Sequence, residues 1–384
     1  MATTLNDFVS EIQPIIRDRT NNTVEQNDIR DSLNRCGRFL INNHGIYATS
    51  NRSVLPIFPG VFQYPLPADY HDIREIANPG HPTHFYRKDA TEFWKRLDQV
   101  DNMLAIDVIL GDLMLLVNRR SAGQSSMVNA MNDVTNDNGT WSAIAASDAD
   151  NLTQDTLVKK EGSGSINFDV DVSKSGVNFA AIENSTMTAV DLSSFVNSGT
   201  LFNWAFIPDS TNITGFTARW GSSISDYFEQ SITTNFNGQG FNNGWNRLGF
   251  NWDGATTTGT PDSTAINFIY LQMTYDVTQA DMNDVRFDDV EMKLPEVLEN
   301  HYYSKFFAQD ASGNPKAGFA DGDDATLFQD ADDDIFFYWA LSDAQLIKQT
   351  FEERAESLRQ FDAALGMLKA RYTSQRKRET RQWY

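Results

Sequence analysis

The chain holds one cysteine, Cys36, in 384 residues. No intramolecular disulfide can form, and no zinc centre can be assembled from thiolates. Cys36 falls on the apolar side of an amphipathic pattern, which predicts a small buried hydrophobe rather than a nucleophile. Basic residues are scarce: 31 Lys and Arg stand against 52 Asp and Glu, for a formal net charge of −21. A surface of that sign repels phosphates, so nucleic acid can be met only through a local basic segment. No apolar run approaches the ~18 residues of a membrane span. The N-terminal MATTLNDFVSEI lacks the basic and apolar blocks of a secretory signal. Neither a membrane segment nor a signal peptide is expected, and the expected place of synthesis and assembly is a cytoplasm.

Histidine is confined to His44, His71, His81, His84 and His301. Pro82 separates His81 from His84, which predicts a solvated loop rather than a helix presenting both rings to a metal. There is no G-x-S-x-G elbow, P-loop or H-E-x-x-H. Carboxylates are plentiful, but no pair is singled out for glycosidase work. The expectation is a protein that is not an enzyme.

Apolar residues make up 40% of the chain and aromatics 12%, enough for packed cores. The length favours two domains. Leu5, Phe8, Val9, Ile12, Ile15 and Ile16 recur at helical spacing, with Pro14 set to kink or end the helix. A second helix is predicted from an N-cap near Thr23, with Ile29, Leu33, Cys36, Phe39 and Leu40 on one face and Gly45 at its left-handed C-terminus. From Ser53 the texture turns to β with interrupting prolines. Ala90 to Leu97 reads as a short helix. Met103 to Arg120 reads as a hairpin turning at Gly111-Asp112, with a buried helix as the alternative.

Residues 133–292 are rich in Asn, Asp, Ser, Thr and Gly, and hold six Lys and Arg against 21 Asp and Glu, a net −15. Short β runs recur between turn signals: 165–172, 178–183, 200–207, 215–220, 227–234, 246–251, 267–274 and 284–292. That spacing, with almost no helical period, predicts a β-sandwich, more specifically a jelly roll. Tyr302–Ala308 reads as one more strand, and 312–334 as Gly- and Asp-rich loop. A single long helix is then predicted from about Ile335 to Tyr372, with Asp332, Asp333 and Asp334 at its positive end. The expected fold is α+β and multidomain. A helical scaffold of residues 1–132 and 293–384, with a small β-hairpin region, carries an inserted all-β sandwich at 133–292.

Two resemblances follow from these pieces. Val61-Phe62-Gln63-Tyr64-Pro65-Leu66-Pro67-Ala68-Asp69-Tyr70, with Ile73 and Ile76 beyond, resembles the Y-x-LP-x-D stretch of tailed-phage head-to-tail connector adaptors. Their helix–β–hairpin–helix order is shared by about 224 residues outside the insert. The resemblance implies a structural virion protein: a ring, twelve-fold in that family, between the portal protein and the tail or nozzle proteins, with DNA passing through. The insert resembles carbohydrate-binding-module jelly rolls through Glu161-Gly162-Ser163-Gly164-Ser165-Ile166, Gly244-Trp245-Asn246 and Arg286-Phe287-Asp288-Asp289-Val290. That resemblance implies a structural calcium near Glu161 and Asp289. The alternative is a solvated strand end. It also raises a second function, a virion-surface adhesin or decoration protein binding glycan. Trp204 and Trp220 lie within predicted strands and read as core, and Trp245 follows a glycine turn.

The C-terminus reverses the chain's charge. From Lys369 to Tyr384 there are six Lys and Arg and one Glu, a net +5. On so acidic a protein this marks a partner-binding tail, with Arg376, Lys377, Arg378 and Arg381 as its charges and Trp383 and Tyr384 as aromatic anchors. The adaptor resemblance implies the portal as the tail's partner. Residues beyond Tyr372 are expected to fray in the free protein.

Overall fold

A computed structural model describes residues 3–16, 24–78, 81–84, 86–87, 105–109, 114–117, 123–135, 137–329 and 332–381. The chain divides into two compact units: Met1–Val54, Pro67–His84 and Glu299–Tyr384 in one, Leu55–Leu66 and Phe85–Leu298 in the other. The fold is α+β, with four α-helices among the described residues and a β-sandwich. No described helix is long and apolar enough to cross a membrane.

The first unit is held together by its helices. In Leu5–Ile15, Thr4 Oγ1 accepts from Asp7 N and the Asp7 carboxylate accepts from Thr4 N, satisfying two amides that a helix start leaves free. The helix runs through Pro14 and stops at Ile15. The second helix is Gln26–His44, capped by Glu25 with Asp28; Thr23 lies outside the described residues. Gly45 ends it at φ 58°, the left-handed turn expected there. Cys36 is fully buried beside Leu33 and Leu40.

The predicted C-terminal helix is two helices, Asp333–Ile347 and Phe351–Arg381. Gln349 turns the chain at φ 60°, and Thr350 N donates to Gln345 O at 2.9 Å, closing the first helix. Glutamine is an unusual residue for that conformation, so the break leaves little trace in the sequence. Trp339 meets Phe361 edge-on at 5.0 Å where the two helices pack. The helical backbone continues to Arg381, past the end near Tyr372 that the apolar pattern predicts. Lys and Arg are good helix formers, no Gly or Pro intervenes, and positive charge suits a helix C-terminus.

His81–His84 is a strand, not a loop: it pairs with Tyr70–Asn78, which pairs in turn with Glu296–Ser304. Met103 to Arg120 holds the expected hairpin pair, Ala105–Ile109 against Met114–Val117, with Ile106 opposite Val117. Gly111, Asp112 and the Ala90–Leu97 segment lie outside the described residues.

The sandwich consists of two six-stranded sheets. One runs Ala149–Asp155, Ser165–Val170, Met282–Lys293, Thr200–Ile207, Gly244–Asn251. The other runs Thr256–Thr258, Tyr227–Ile232, Ile213–Gly221, Phe268–Tyr275, Phe179–Asn184, Trp141–Ala143. All the pairings are antiparallel. Alternate residues face inward, giving a core that includes Phe168, Phe216, Trp220, Phe250, Leu271 and Phe287. The sixth strand of the first sheet, Ser125–Asn129, pairs with Met282–Lys293, and Val128 and Met131 enter the core. The sandwich therefore begins ahead of residue 133. Trp220 is core as expected; Trp204 is not, because it occupies an outward position of Thr200–Ile207.

Candidate functional site

Each sheet has an outer face, and both faces carry aromatic and charged side chains. On the first, Phe202, Trp204 and Phe206 project from Thr200–Ile207, opposite Gly249, Arg247 and Trp245. This face is closed by its own residues. Lys160 Nζ and the Arg247 guanidinium sit over the Trp204 rings at 4.5 and 4.4 Å. Arg286, its side chain 8% exposed, binds Asp155 at 2.8 Å and lies over Phe206 at 5.1 Å. The Leu55–Leu66 segment covers the far end: Phe58 meets Phe202 at 5.0 Å and Phe236 at 5.8 Å, and Lys293 Nζ donates to Pro59 O at 2.9 Å. Tyr64 folds that segment into a tight loop, its hydroxyl accepting from Phe58 N at 2.8 Å and donating to Val61 O at 2.9 Å. Thus the Tyr64 stretch singled out in the sequence is a cover for the sandwich sheet.

The expected calcium corner lies on the same face. A bulge in Met282–Lys293 puts Asp289 at φ 55°. Asn203, at a core position, donates to the Asp288 carbonyl at 2.9 Å. Asp288 is fully buried, and its Oδ2 accepts from Lys160 N at 2.6 Å and Glu161 N at 3.0 Å. Asn132 Oδ1 accepts from Ser163 N and Gly164 N. Burial raises Asp288 to about 6 despite these amides, with the Glu161 charge adding to the rise. Asp289 is also raised to about 6, by burial and then by Glu291. Neither aspartate is a solvated strand end. One oxygen suits a cation: Asp288 Oδ1, buried without a hydrogen-bond partner. The turn at 160–164 aims amide N–H groups inward, and no three His, Cys, Asp or Glu among the described residues converge as metal ligands.

The outer face of the second sheet is organised differently. Register aligns Ser142, Glu183, Tyr270, Arg219, Glu229 and Thr256 in one row across all six strands. Arg219 Nε donates to Glu229, and its guanidinium lies over Tyr270 at 4.5 Å and Tyr227 at 4.8 Å. Burial works against the Arg219 charge, but Glu229 holds its pKa above the ordinary value. Burial raises Glu183, offset in part by Arg219. Tyr270 is pushed up to about 12, chiefly by burial. Its hydroxyl donates to Gln272 Oε1 at 2.6 Å, and Gln272 Nε2 donates to Thr274 Oγ1 at 2.9 Å. Arg219 and Glu229 keep 31% and 30% of their side chains exposed. Gly221 lies in register between Tyr227 and Phe268, where a Cβ would meet Asp226 O at 2.2 Å, so the row is flanked by an aromatic pair with no side chain between.

None of Glu183, Arg219, Glu229 and Tyr270 was singled out from sequence. A signal existed for three of them: Glu183, Arg219 and Tyr270 lie on predicted strands that otherwise bury apolar side chains, whereas Glu229 lies on a strand with no buried residue. What was missing was the register that joins them. In the tail, Arg376, Lys377, Arg378 and Arg381 lie on helical backbone, and Trp383 and Tyr384 fall outside the described residues.

No protein-family model and no curated protein matches the chain. Solved structures similar to it include a family 30 carbohydrate-binding module, at 13% identity over 44% of this chain and 99% of that one, TM-score 0.33. A second, described among carbohydrate-binding modules of the β-sandwich superfamily, is 10% identical over 63% and 97%, TM-score 0.30. A third is the enzymatically active domain of bacteriophage CBA120 tailspike protein 4, 14% identical over 43% and 20%, TM-score 0.25. At these scores the likeness carries no weight, and the sandwich rests on its strand pairing.

Proposed function

We propose that the sandwich is a glycan-binding module acting through the row Glu183–Tyr270–Arg219–Glu229. The observation that supports this is the row itself: the Arg219 guanidinium lies flat over Tyr270 and Tyr227, and the hydrogen-bonding side chains of Glu183 and Glu229 flank it along the register of a six-stranded sheet. Sugars offer flat apolar ring faces edged with hydroxyls, and such sites combine a stacking surface with a few fixed polar groups. Affinity electrophoresis of the full chain through gels containing soluble polysaccharides tests it. Retardation by at least one polysaccharide, lost in Arg219→Ala with unchanged melting, is the expected result. Retardation that persists undiminished in that variant removes the row from binding.

A second reading concerns the helical unit: a head-to-tail connector adaptor, ring-forming, with portal and tail proteins as partners and DNA as its passenger. Its support is the adaptor-like order of elements and the basic stretch carried on the end of helix Phe351–Arg381. Charge-assisted bonds from Arg376, Lys377, Arg378 and Arg381 to portal carboxylates would make the attachment. Deleting 373–384 is expected to leave melting nearly unchanged and to abolish attachment to portal-containing heads. Normal occupancy by the truncated chain would end this reading. The two proposals are compatible in one virion protein.

A further inference from the structure

We propose that this row takes uncharged polyhydroxy sugar chains and turns away uronate- or sialate-bearing ones, with Glu183 as the specificity-determining residue. The inference rests on the glycan-binding reading above and names its ligand class.

Recognition of an acidic sugar normally relies on an arginine with a free edge for the carboxylate. Arg219 is the row's cation, and one carboxylate already stands against it. Glu229 stands directly opposite it in register and takes its Nε, while Tyr227 and Tyr270 lie against its guanidinium. A ligand carboxylate would have to displace Glu229 or sit beside it, and like charges at that range repel.

Glu183 is in the opposite condition. It lies in register with Tyr270, next in line to Arg219, and shares only longer-range attraction with that cation. No hydrogen bond to its carboxyl oxygens is present among the described residues. A half-buried acceptor without a donor gains most from a ligand that brings O–H groups, and loses from one that brings a second carboxylate. The neighbouring row adds only neutral partners: the Tyr270–Gln272–Thr274 chain, and Thr217 Oγ1 with Ser231 Oγ at 2.7 Å. At longer range the −15 of residues 133–292 opposes any polyanion.

The test uses the full chain in affinity gels with hydroxyethylcellulose and soluble arabinoxylan as neutral probes, and alginate and polygalacturonate as acidic ones, at low salt. Retardation by a neutral probe and by neither acidic one is expected. Glu183→Gln keeps the size and one acceptor but removes the charge, and should cut the neutral-over-acidic preference about tenfold. Thermal melting of the variant checks its fold, and Glu183→Asp, which restores the charge, should recover part of the preference. Retardation by alginate or polygalacturonate that Arg219→Ala abolishes would overturn the inference while leaving the glycan-binding reading intact. Equal retardation of wild type and Glu183→Gln in every gel would also overturn it. No retardation in any of the gels would count against both.

Discussion

The two outer faces of the sandwich start from the same strand alternation and end in different states. On the first sheet, Arg286 and Lys293 keep only 8% and 9% of their side chains exposed, and Trp204 lies between two cations. On the second, Arg219 and Glu229 keep about 30%. The first face spends its aromatics and charges on the protein's own loops and on the Leu55–Leu66 segment. The second buries Phe268 and Tyr270 as well, at 2% and 5% exposed, and leaves only its charged pair partly in water. A tryptophan on a sheet surface is therefore no guide to a binding site until its faces are accounted for, and here the row without a tryptophan is the candidate.

Five substitutions would sharpen or break that contrast, from the largest effect down. Trp220→Ala empties a fully buried core position beneath the second sheet and should cost about 3–5 kcal/mol. Trp204→Ala, on the first outer face, should cost clearly less in the same melting experiment. If the two are equal, Trp204 is as structural as a core residue. Asp155→Ala leaves Arg286 buried with one carboxylate partner fewer, and should cost on the order of 3 kcal/mol. A loss below about 1 kcal/mol would place that pair with the solvated ones.

Asp288→Asn should stabilise the sandwich at pH 7 by on the order of 2 kcal/mol. The sign follows from linkage. Asp288 titrates near 6 in the fold and near 3.8 when unfolded, so its charge costs stability above pH 6 and nothing well below pH 4. The gain of the variant should fade as pH falls through that window, provided Asn keeps the acceptor used by the Lys160 and Glu161 amides. Calcium at this corner predicts the reverse: chelator lowers the melting temperature, Asp289→Ala removes that response, and Asp288→Asn destabilises. Glu229→Ala is the mildest change. With its partner half exposed, it should alter stability by less than about 1 kcal/mol yet weaken retention by a neutral polysaccharide. Binding should also fall on acidification, starting at a higher pH than an ordinary glutamate would give, because burial raises Glu183. Binding that is flat through the carboxylate range would remove Glu183 from the contact.

Much of the sandwich was legible. The runs 200–207 and 165–172 emerged as Thr200–Ile207 and Ser165–Val170 because each alternates cleanly and ends at a turn residue. Trp141–Ala143 and Thr256–Thr258 were not anticipated; three residues are too short to show a period. Gln349 hid the helix break because its left-handed turn is imposed by closure of the helix end, not by a glycine.

The sequence by itself determined the acidic character, the solitary buried thiol and the α+β order of elements, since period and polarity are local properties. Tertiary structure decided which outward residues meet. Strand order brings Glu183, Tyr270, Arg219 and Glu229 into one row from four strands spread over residues 179–275. It also decided which face is covered, because Phe58 and Tyr64 reach the first sheet from a segment about 140 residues away in sequence from Phe202. Register and coverage depend on the packing of distant segments, and no local pattern encodes either.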